Sequence, residues 1–159
     1  MILYLDTSAL LKKYFKENGS KDVISLWKNS TAIITSAVTY AETLASIYRK
    51  RRESRDVDAH IFRTVLESFQ KDWKSFIRVD VNERLHEIIN KLVAGHPLRG
   101  FDAIHLASAL LLHEKIEDNF IFACYDKRLI KAAIEEGLET RPQKDWPGTP
   151  SRLTSLSRE

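Results

Sequence analysis

Residues 2–10 read Ile-Leu-Tyr-Leu-Asp-Thr-Ser-Ala-Leu, an apolar run of strand length that ends at an acid and leads into a helix-start signal. Short apolar runs bounded by such signals are typical of strands buried in a parallel sheet. The same order recurs along the chain, with an apolar run, a polar junction and then helical periodicity. This alternation predicts an α/β domain with a parallel sheet.

Five segments carry the strand pattern and predict a sheet of about five strands: 2–5, 32–35, 77–79, 120–124 and 138–140. Each of the first four is followed by residues that can start a helix: Thr7 and Ser8, Ser36, Asp80 and Asp126. Asp80 also has Glu83 three residues later, which is the spacing of a capping box. Two more helices are predicted between the second and third strands, at about 37–52 and 57–74.

The second of these two helices carries an apolar stripe. Ile61, Val65, Phe69 and Trp73 recur at intervals of four residues. Such a stripe predicts a face packed on the core, with a dimer face as the alternative.

The chain of 159 residues has the length of one domain, and it shows neither an internal repeat nor an interior linker. From Arg141 onward the sequence is polar and contains three prolines. We therefore expect a domain over residues 1–140 and an extended polar tail over 141–159.

The composition indicates the cellular compartment and the kinds of partner to expect. The single cysteine, Cys124, rules out an intramolecular disulfide and fits a reducing compartment. The longest apolar stretch, 103–112, is too short to span a bilayer, and no secretory signal is visible. We expect a cytoplasmic protein without a membrane association, whose net charge of +3 permits a polyanionic partner without requiring one.

Four carboxylates lie where an unpaired charge would be costly: Asp6, Glu42, Asp102 and Asp126. Asp6 and Asp126 directly follow predicted strands, and the carboxyl ends of parallel strands share one edge of the sheet. Asp102 begins an apolar helical segment. The sequence predicts that these acids meet at that edge.

Glu42 is expected to point inward. Val38, Ala41 and Ala45 lie at the positions i−4, i−1 and i+3 relative to it, on what we interpret as a buried helix face. Three or four acids without a cluster of His and Cys favour Mg²⁺ or Mn²⁺ over zinc, and such ions support hydrolysis of phosphodiesters.

Each acid also has a purely structural alternative. Asp6, Asp102 and Asp126 could cap the helices that follow them, and Glu42 could form a capping box with Thr39. The repeated placement of acids at strand ends favours the metal site.

Four segments together resemble the motifs of PIN-domain ribonucleases. They are Asp6-Thr7-Ser8-Ala9-Leu10, residues 36–42 (SAVTYAE), residues 98–109 (LRGFDAIHLASA) and residues 124–129 (CYDKRL), in the family's order over about residues 1–140. The third is the most specific of the set.

The resemblance implies a three-layer α/β/α domain with a central parallel sheet and an activity that cleaves RNA with Mg²⁺ or Mn²⁺. Small members of the family are mostly VapC-like toxins of type II toxin–antitoxin pairs, often homodimeric and silenced by a cognate antitoxin. It also implies metal-site roles for Asp6, Glu42, Asp102 and Asp126, with Thr7 or Ser8 hydrogen-bonded to the site. Cys124 departs from the Thr or Ser that many members have there.

Other polar residues near the motifs have two interpretations each. His105, three residues after Asp102, is expected to support the site or the core, with a catalytic base as the alternative. The cluster Arg49-Lys50-Arg51-Arg52 contacts RNA phosphate or is a solvated helix end. Lys12, Lys13, Lys127 and Arg128 are equally plausible phosphate contacts.

Four other functions share parts of this pattern. A phosphatase of the haloacid dehalogenase type requires a second Asp where Ser8 stands, and a receiver-like module requires paired acids after the first strand. A non-catalytic PIN scaffold is disfavoured because all four acids are present. An RNA-processing or decay nuclease remains the alternative to a toxin.

Overall fold

The computed structural model describes residues 1–54 and 58–143. Its centre is a sheet of five parallel strands: β1 (Ile2–Leu5), β2 (Ala32–Ser36), β3 (Ile77–Val79), β4 (Phe120–Ala123) and β5 (Glu139–Arg141). The strand order is β3-β2-β1-β4-β5, so β1 lies in the middle between β2 and β4. The prediction of a parallel sheet of about five strands is confirmed, with strand ends shifted by at most one residue.

Seven helices cover the two faces of the sheet in the described part of the chain. They are α1 (Thr7–Tyr14), α2 (Ser20–Asn29), α3 (Thr39–Glu53), α4 (Ala59–Trp73), α5 (Glu83–Gly95), α6 (Gly100–His113) and α7 (Lys127–Glu135).

Two separate apolar cores make this a three-layer α/β/α structure. Successive residues of a strand point to opposite faces. Leu3 and Leu5 of β1 therefore pack with α1 to α4, while Tyr4 packs with α5, α6 and α7. Leu3, Tyr4 and Leu5 are fully buried although they point to both faces of the sheet, which explains why the sequence of β1 is a continuous apolar run.

Several helix starts differ from their prediction. Ser36 is the last residue of β2, and α3 begins only at Thr39. Asp80 does not cap α5, because Asn82 is the cap and accepts from the Arg84 backbone N–H at 3.0 Å. Helix α2 was not predicted at all.

The prediction of a core-facing apolar stripe on α4 is only partly correct. Phe69 is fully buried and Val65 nearly so, and both pack on the core together with Phe62, but Ile61 is 56% exposed. A step of four residues turns a helix by about 40° beyond a full turn. The predicted stripe therefore drifts away from the core at its N-terminal end.

The described residues end at Gln143, and β5 continues to Arg141, one residue past the expected domain boundary. The predicted tail lies outside the described residues from 144 onward. No helix within residues 1–54 and 58–143 has the length and apolar character needed to cross a membrane.

Candidate active site

Asp6 lies at the carboxyl end of the central strand and is only 5% exposed. Its Oδ1 accepts from the Ala9 backbone N–H at 2.8 Å. Asp6 therefore caps α1, which was the structural alternative to a role in a metal site. The Ser8 hydroxyl donates to the same carboxylate, at 2.7 and 2.8 Å from its two oxygens. Burial raises the pKa of Asp6, and the charge of His105 and these hydrogen bonds oppose the rise only in part.

Ser8 ties the end of β1 to the end of β4. While its hydroxyl donates to Asp6, its oxygen accepts from the Tyr125 backbone N–H at 2.8 Å. The Asp6 backbone N–H donates to the Ala123 carbonyl at 3.2 Å in the same region. Asp6 is thereby held beside the segment that carries Asp126.

Glu42, in the first turn of α3, lies in a second hydrogen-bonded group. Its Oε2 accepts from the Thr7 hydroxyl at 2.6 Å and lies 2.8 Å from His105 Nε2. The other ring nitrogen of His105, Nδ1, lies 3.2 Å from the Tyr4 hydroxyl. Because a carboxylate only accepts, Nε2 carries a proton and donates to Glu42, while Nδ1 shares a hydrogen bond with the Tyr4 hydroxyl.

His105 is thus a buried support for Glu42, with 2% of its surface exposed. Burial alone would raise the pKa of Glu42, but the hydrogen bonds from His105 and Thr7, together with the charge of His105, lower it. The Glu42 side chain is therefore held ionised and in one orientation.

Glu42 points to the site for a different reason from the one predicted. Ala41 and Ala45 are exposed, and the buried face of α3 is formed by Thr39, Thr43 and Ile47. The capping box with Thr39 is also absent, because the Thr39 hydroxyl bonds that of Thr35 at 2.7 Å. Glu42 reaches the site because it lies at the beginning of α3, near the sheet edge.

Asp102 and Asp126 form a third group around an arginine that the sequence analysis did not single out. Arg99 Nε lies 3.2 Å from Asp102 Oδ2, and Arg99 Nη2 lies 3.5 Å from Asp126 Oδ2. Asp126 also caps α7, accepting at 3.0 Å from the backbone N–H groups of Arg128 and Leu129. Asp102 is not a cap, since it lies inside the first turn of α6 and pairs with Arg99 instead.

No three acidic, histidine or cysteine side chains of residues 1–54 and 58–143 are arranged to enclose a metal ion as they stand. The donor set nevertheless suits a hard divalent cation, because it consists of carboxylate oxygens. A cationic group, the guanidinium of Arg99, already bridges two of the acids. The metal-binding and catalytic roles of the four acids stay a prediction.

The PIN domain family model matches residues 3–135. This chain belongs to the PIN domain family. The resemblance inferred from the four motifs is confirmed.

Two sequence relatives of this PIN domain are Ribonuclease VapC45 and Ribonuclease VapC49, both from Mycobacterium tuberculosis. Each is 28% identical over 145 residues, covering 89% of this chain and 95% of the relative.

Solved structures share the fold at low identity. FitAcB from Neisseria gonorrhoeae matches with a TM-score of 0.63 and 16% identity, covering 88% of this chain and 96% of that chain. VapBC2 from Rickettsia felis, bound to a promoter DNA fragment, matches with a TM-score of 0.59 and 14% identity, over 88% and 97%.

Cys124 replaces the hydroxyl that many PIN domains have two residues before the fourth acid. Its Sγ accepts from the Asp126 backbone N–H at 3.3 Å and lies 3.9 Å from Ser8 Oγ. Burial raises the pKa of the thiol well above its ordinary value, so the thiol is protonated. The sulfur atom therefore supports the Asp126 backbone as a hydroxyl oxygen would.

The predicted phosphate contacts fall into a near and a far set. Lys127 and Arg128 are exposed in the first turn of α7, next to Asp126. Arg49, Arg51 and Arg52 are exposed at the far end of α3, about 10–15 Å along the helix from Glu42.

Lys12 and Lys13 also contact protein groups. Lys13 pairs with Asp72, and Lys12 lies over the ring of Tyr125, 4.4 Å from its centroid.

Proposed function

We propose that this PIN domain is a divalent-metal-dependent endoribonuclease and the toxin of a type II toxin–antitoxin pair. The observation that carries the proposal is the placement of the four motif acids, each held by specific donors near the carboxyl edge of the sheet. The names of its relatives, Ribonuclease VapC45 and Ribonuclease VapC49, support the same reaction.

Asp6, Glu42, Asp102 and Asp126 are the residues that would hold Mg²⁺ or Mn²⁺. A bound ion of this kind supplies an activated water and neutralises the charge that develops on the phosphoryl oxygens. The chain itself orients the acids: Ser8 and the Ala9 backbone N–H fix Asp6, and His105 and Thr7 fix Glu42.

Exposed cations extend the site toward a polyanion. We expect Lys127 and Arg128 to contact the phosphates that flank the scissile bond, because both are exposed next to Asp126. Arg49, Arg51 and Arg52 would meet the RNA backbone farther away, and their contribution should fall steeply with added salt.

The partners of the proposed toxin are RNA as substrate, a cognate antitoxin protein and a second copy of the chain in a homodimer. The antitoxin is supported by structural neighbours solved as VapBC complexes, and the homodimer is measurable by sedimentation velocity. An RNA-processing nuclease or a non-catalytic scaffold is the alternative.

A cleavage assay tests the proposal. The purified protein should cut labelled single-stranded RNA in Mg²⁺ or Mn²⁺, and EDTA should stop the reaction. Asp6→Asn should lower kcat/KM by at least about 100-fold, because it removes a negative charge that would hold the metal ion.

The matched control is Asp58→Asn. Asp58 caps α4 as Asp6 caps α1, and Asn preserves a cap, but Asp58 is exposed and forms no part of the site. Cleavage that resists EDTA, or an Asp6→Asn variant as active as Asp58→Asn, would refute the metal mechanism. Growth arrest on induction of the wild type, but not of Asp6→Asn, separates a toxin from a housekeeping nuclease and from a scaffold.

A further inference from the structure

Arg99 bridges two carboxylates that belong to different elements. Its guanidinium reaches Asp102 in the first turn of α6 and Asp126 at the start of α7, at 3.2 and 3.5 Å. The Arg99 side chain is 67% exposed, whereas those of Asp102 and Asp126 are 16% and 26% exposed. Ion pairs that are this open to water are weak and break readily.

The loop before α6 brings Arg99 to this position. At the C-terminal end of α7, His96 Nε2 is hydrogen-bonded to Glu136 at 2.6 Å, and His96 Nδ1 lies 3.2 Å from Glu135 Oε2. Helix α7 has nine residues, so it is about 13 Å long, and the three residues from His96 to Arg99 span about 10 Å when extended. The loop therefore runs back along α7 and delivers Arg99 to the end where Asp126 lies.

We propose that Arg99 is a switching cation of the nuclease site. In the metal-free protein it neutralises Asp102 and Asp126. When a divalent ion takes these carboxylates, the guanidinium is released and holds a phosphate of the RNA. This inference rests on the proposed function and adds the regulation of the same site.

Electrostatics and geometry support the two positions. Two cations cannot share the same carboxylate oxygens without repulsion, so metal binding and the Arg99 ion pairs compete. The planar guanidinium can bind a phosphate through two parallel hydrogen bonds, as it binds carboxylates. Space is available for the movement, because 67% of the Arg99 side chain is exposed to solvent.

The switch predicts effects of opposite sign on the two ligands. Arg99→Ala should tighten Mn²⁺ binding, lowering its Kd by roughly three- to tenfold, as expected for the loss of one or two partly exposed ion pairs. The same variant should weaken RNA binding by a similar factor once Mn²⁺ is saturating. Arg99→Lys keeps the charge without the fork and should be intermediate for both ligands.

The experiment measures binding rather than turnover. Isothermal titration gives the Mn²⁺ Kd of the RNA-free protein, and fluorescence anisotropy gives the Kd for a short single-stranded RNA. The RNA measurement uses the Asp6→Asn background at an Mn²⁺ concentration that saturates each variant. The control is Arg63→Ala, an exposed arginine on α4, which should change neither constant.

The outcomes are separable. If Mn²⁺ binding is unchanged or weaker in Arg99→Ala, the guanidinium does not compete with the ion, and the inference is overturned. If Mn²⁺ binding tightens while RNA affinity stays the same, release to phosphate is overturned. Failure of the proposed function is a different result, namely no RNA cleavage by the wild type in Mn²⁺.

Discussion

Asp6 and Glu42 are both carboxylates of the candidate site, yet the protein shifts their pKa values in opposite directions. Burial raises the pKa of Asp6, whereas hydrogen bonds and the charge of His105 overcome burial and lower the pKa of Glu42. A buried acid with a raised pKa contributes stability below its ordinary pKa of 3.8, which is lost as pH rises through the folded-state value. An acid with a lowered pKa contributes stability above its ordinary 4.5, which is lost as pH falls.

We therefore predict that Asp6→Asn stabilises the metal-free protein at neutral pH, on the order of 1 kcal/mol, although it abolishes cleavage. The gain should shrink on acidification, because a protonated Asp6 is as neutral as Asn. Glu42→Gln should instead destabilise the protein at neutral pH. Urea unfolding from pH 4 to pH 7 in EDTA measures both, and equal destabilisation by the two variants at pH 7 would contradict the prediction.

His105 should act on the reaction through Glu42. His105→Ala removes one hydrogen-bond partner from the Tyr4 hydroxyl and one from Glu42, which should lower stability by about 1–3 kcal/mol and kcat by about 10- to 100-fold. His105→Gln restores a donor near Nε2 and should recover part of kcat.

The control is Tyr4→Phe, which removes a hydroxyl and leaves the His105–Glu42 contact in place. It should lower stability while sparing most of kcat, as measured by steady-state cleavage at saturating Mn²⁺ beside urea unfolding. A kcat of His105→Ala equal to that of the wild type would show that His105 only fills space.

At the residue level, the sequence identifies charged side chains whose burial would cost free energy unless they had a partner. Asp6, Asp126 and Asp102 were identifiable because an acid beside an apolar run needs a partner. Arg99 was not, since an arginine in a polar loop has no such cost, and only the path of the loop brings it to two acids. Its position three residues before Asp102 was the one local signal.

Among the elements, helix α2 begins directly after a glycine, which is not a usual helix-start signal. Gly19 is its N-cap with φ of 88° and forms no side-chain cap, so the usual signal of Ser, Thr, Asp or Asn is missing. A Cβ at this position would lie 2.5–2.7 Å from two ring carbons and the hydroxyl oxygen of Tyr125. By contrast, strands β1 and β4 were predictable because burial of both faces makes them continuously apolar.

We predict that Gly19→Ala destabilises the protein by about 2–4 kcal/mol, through left-handed strain and the collision with Tyr125. Gly137→Ala is the matched control, because Gly137 has the same φ of 88° but open space around it. It should cost only the strain, about 1–2 kcal/mol. Urea unfolding of both variants isolates the collision, and equal losses would mean that Tyr125 moves away freely.

For the whole molecule, the four acids of the candidate site should make the stability of the fold depend on a bound divalent ion. We predict that Mn²⁺ at a hundred times its Kd raises Tm by about 5–10 °C, because it binds the folded state and not the unfolded chain. EDTA should reverse the rise, and the Asp102→Asn, Asp126→Asn double variant should show little of it. A thermal scan by circular dichroism measures this, and an unchanged Tm in the wild type would argue against a metal site.

The central place of β1 also sets the order in which the protein can fold. Ile2 pairs with Phe120, and Ser8 forms a hydrogen bond with Tyr125. The first strand of the chain therefore pairs with a segment that is synthesised near the end of the domain. Contacts between such distant parts of a chain form slowly, and domains fold during synthesis only as their segments emerge. A ribosome-bound chain therefore cannot assemble the junction of Asp6 and Asp126 before β4 has left the exit tunnel, so a nascent chain would lack the proposed nuclease site while it is still beside the RNA that encodes it.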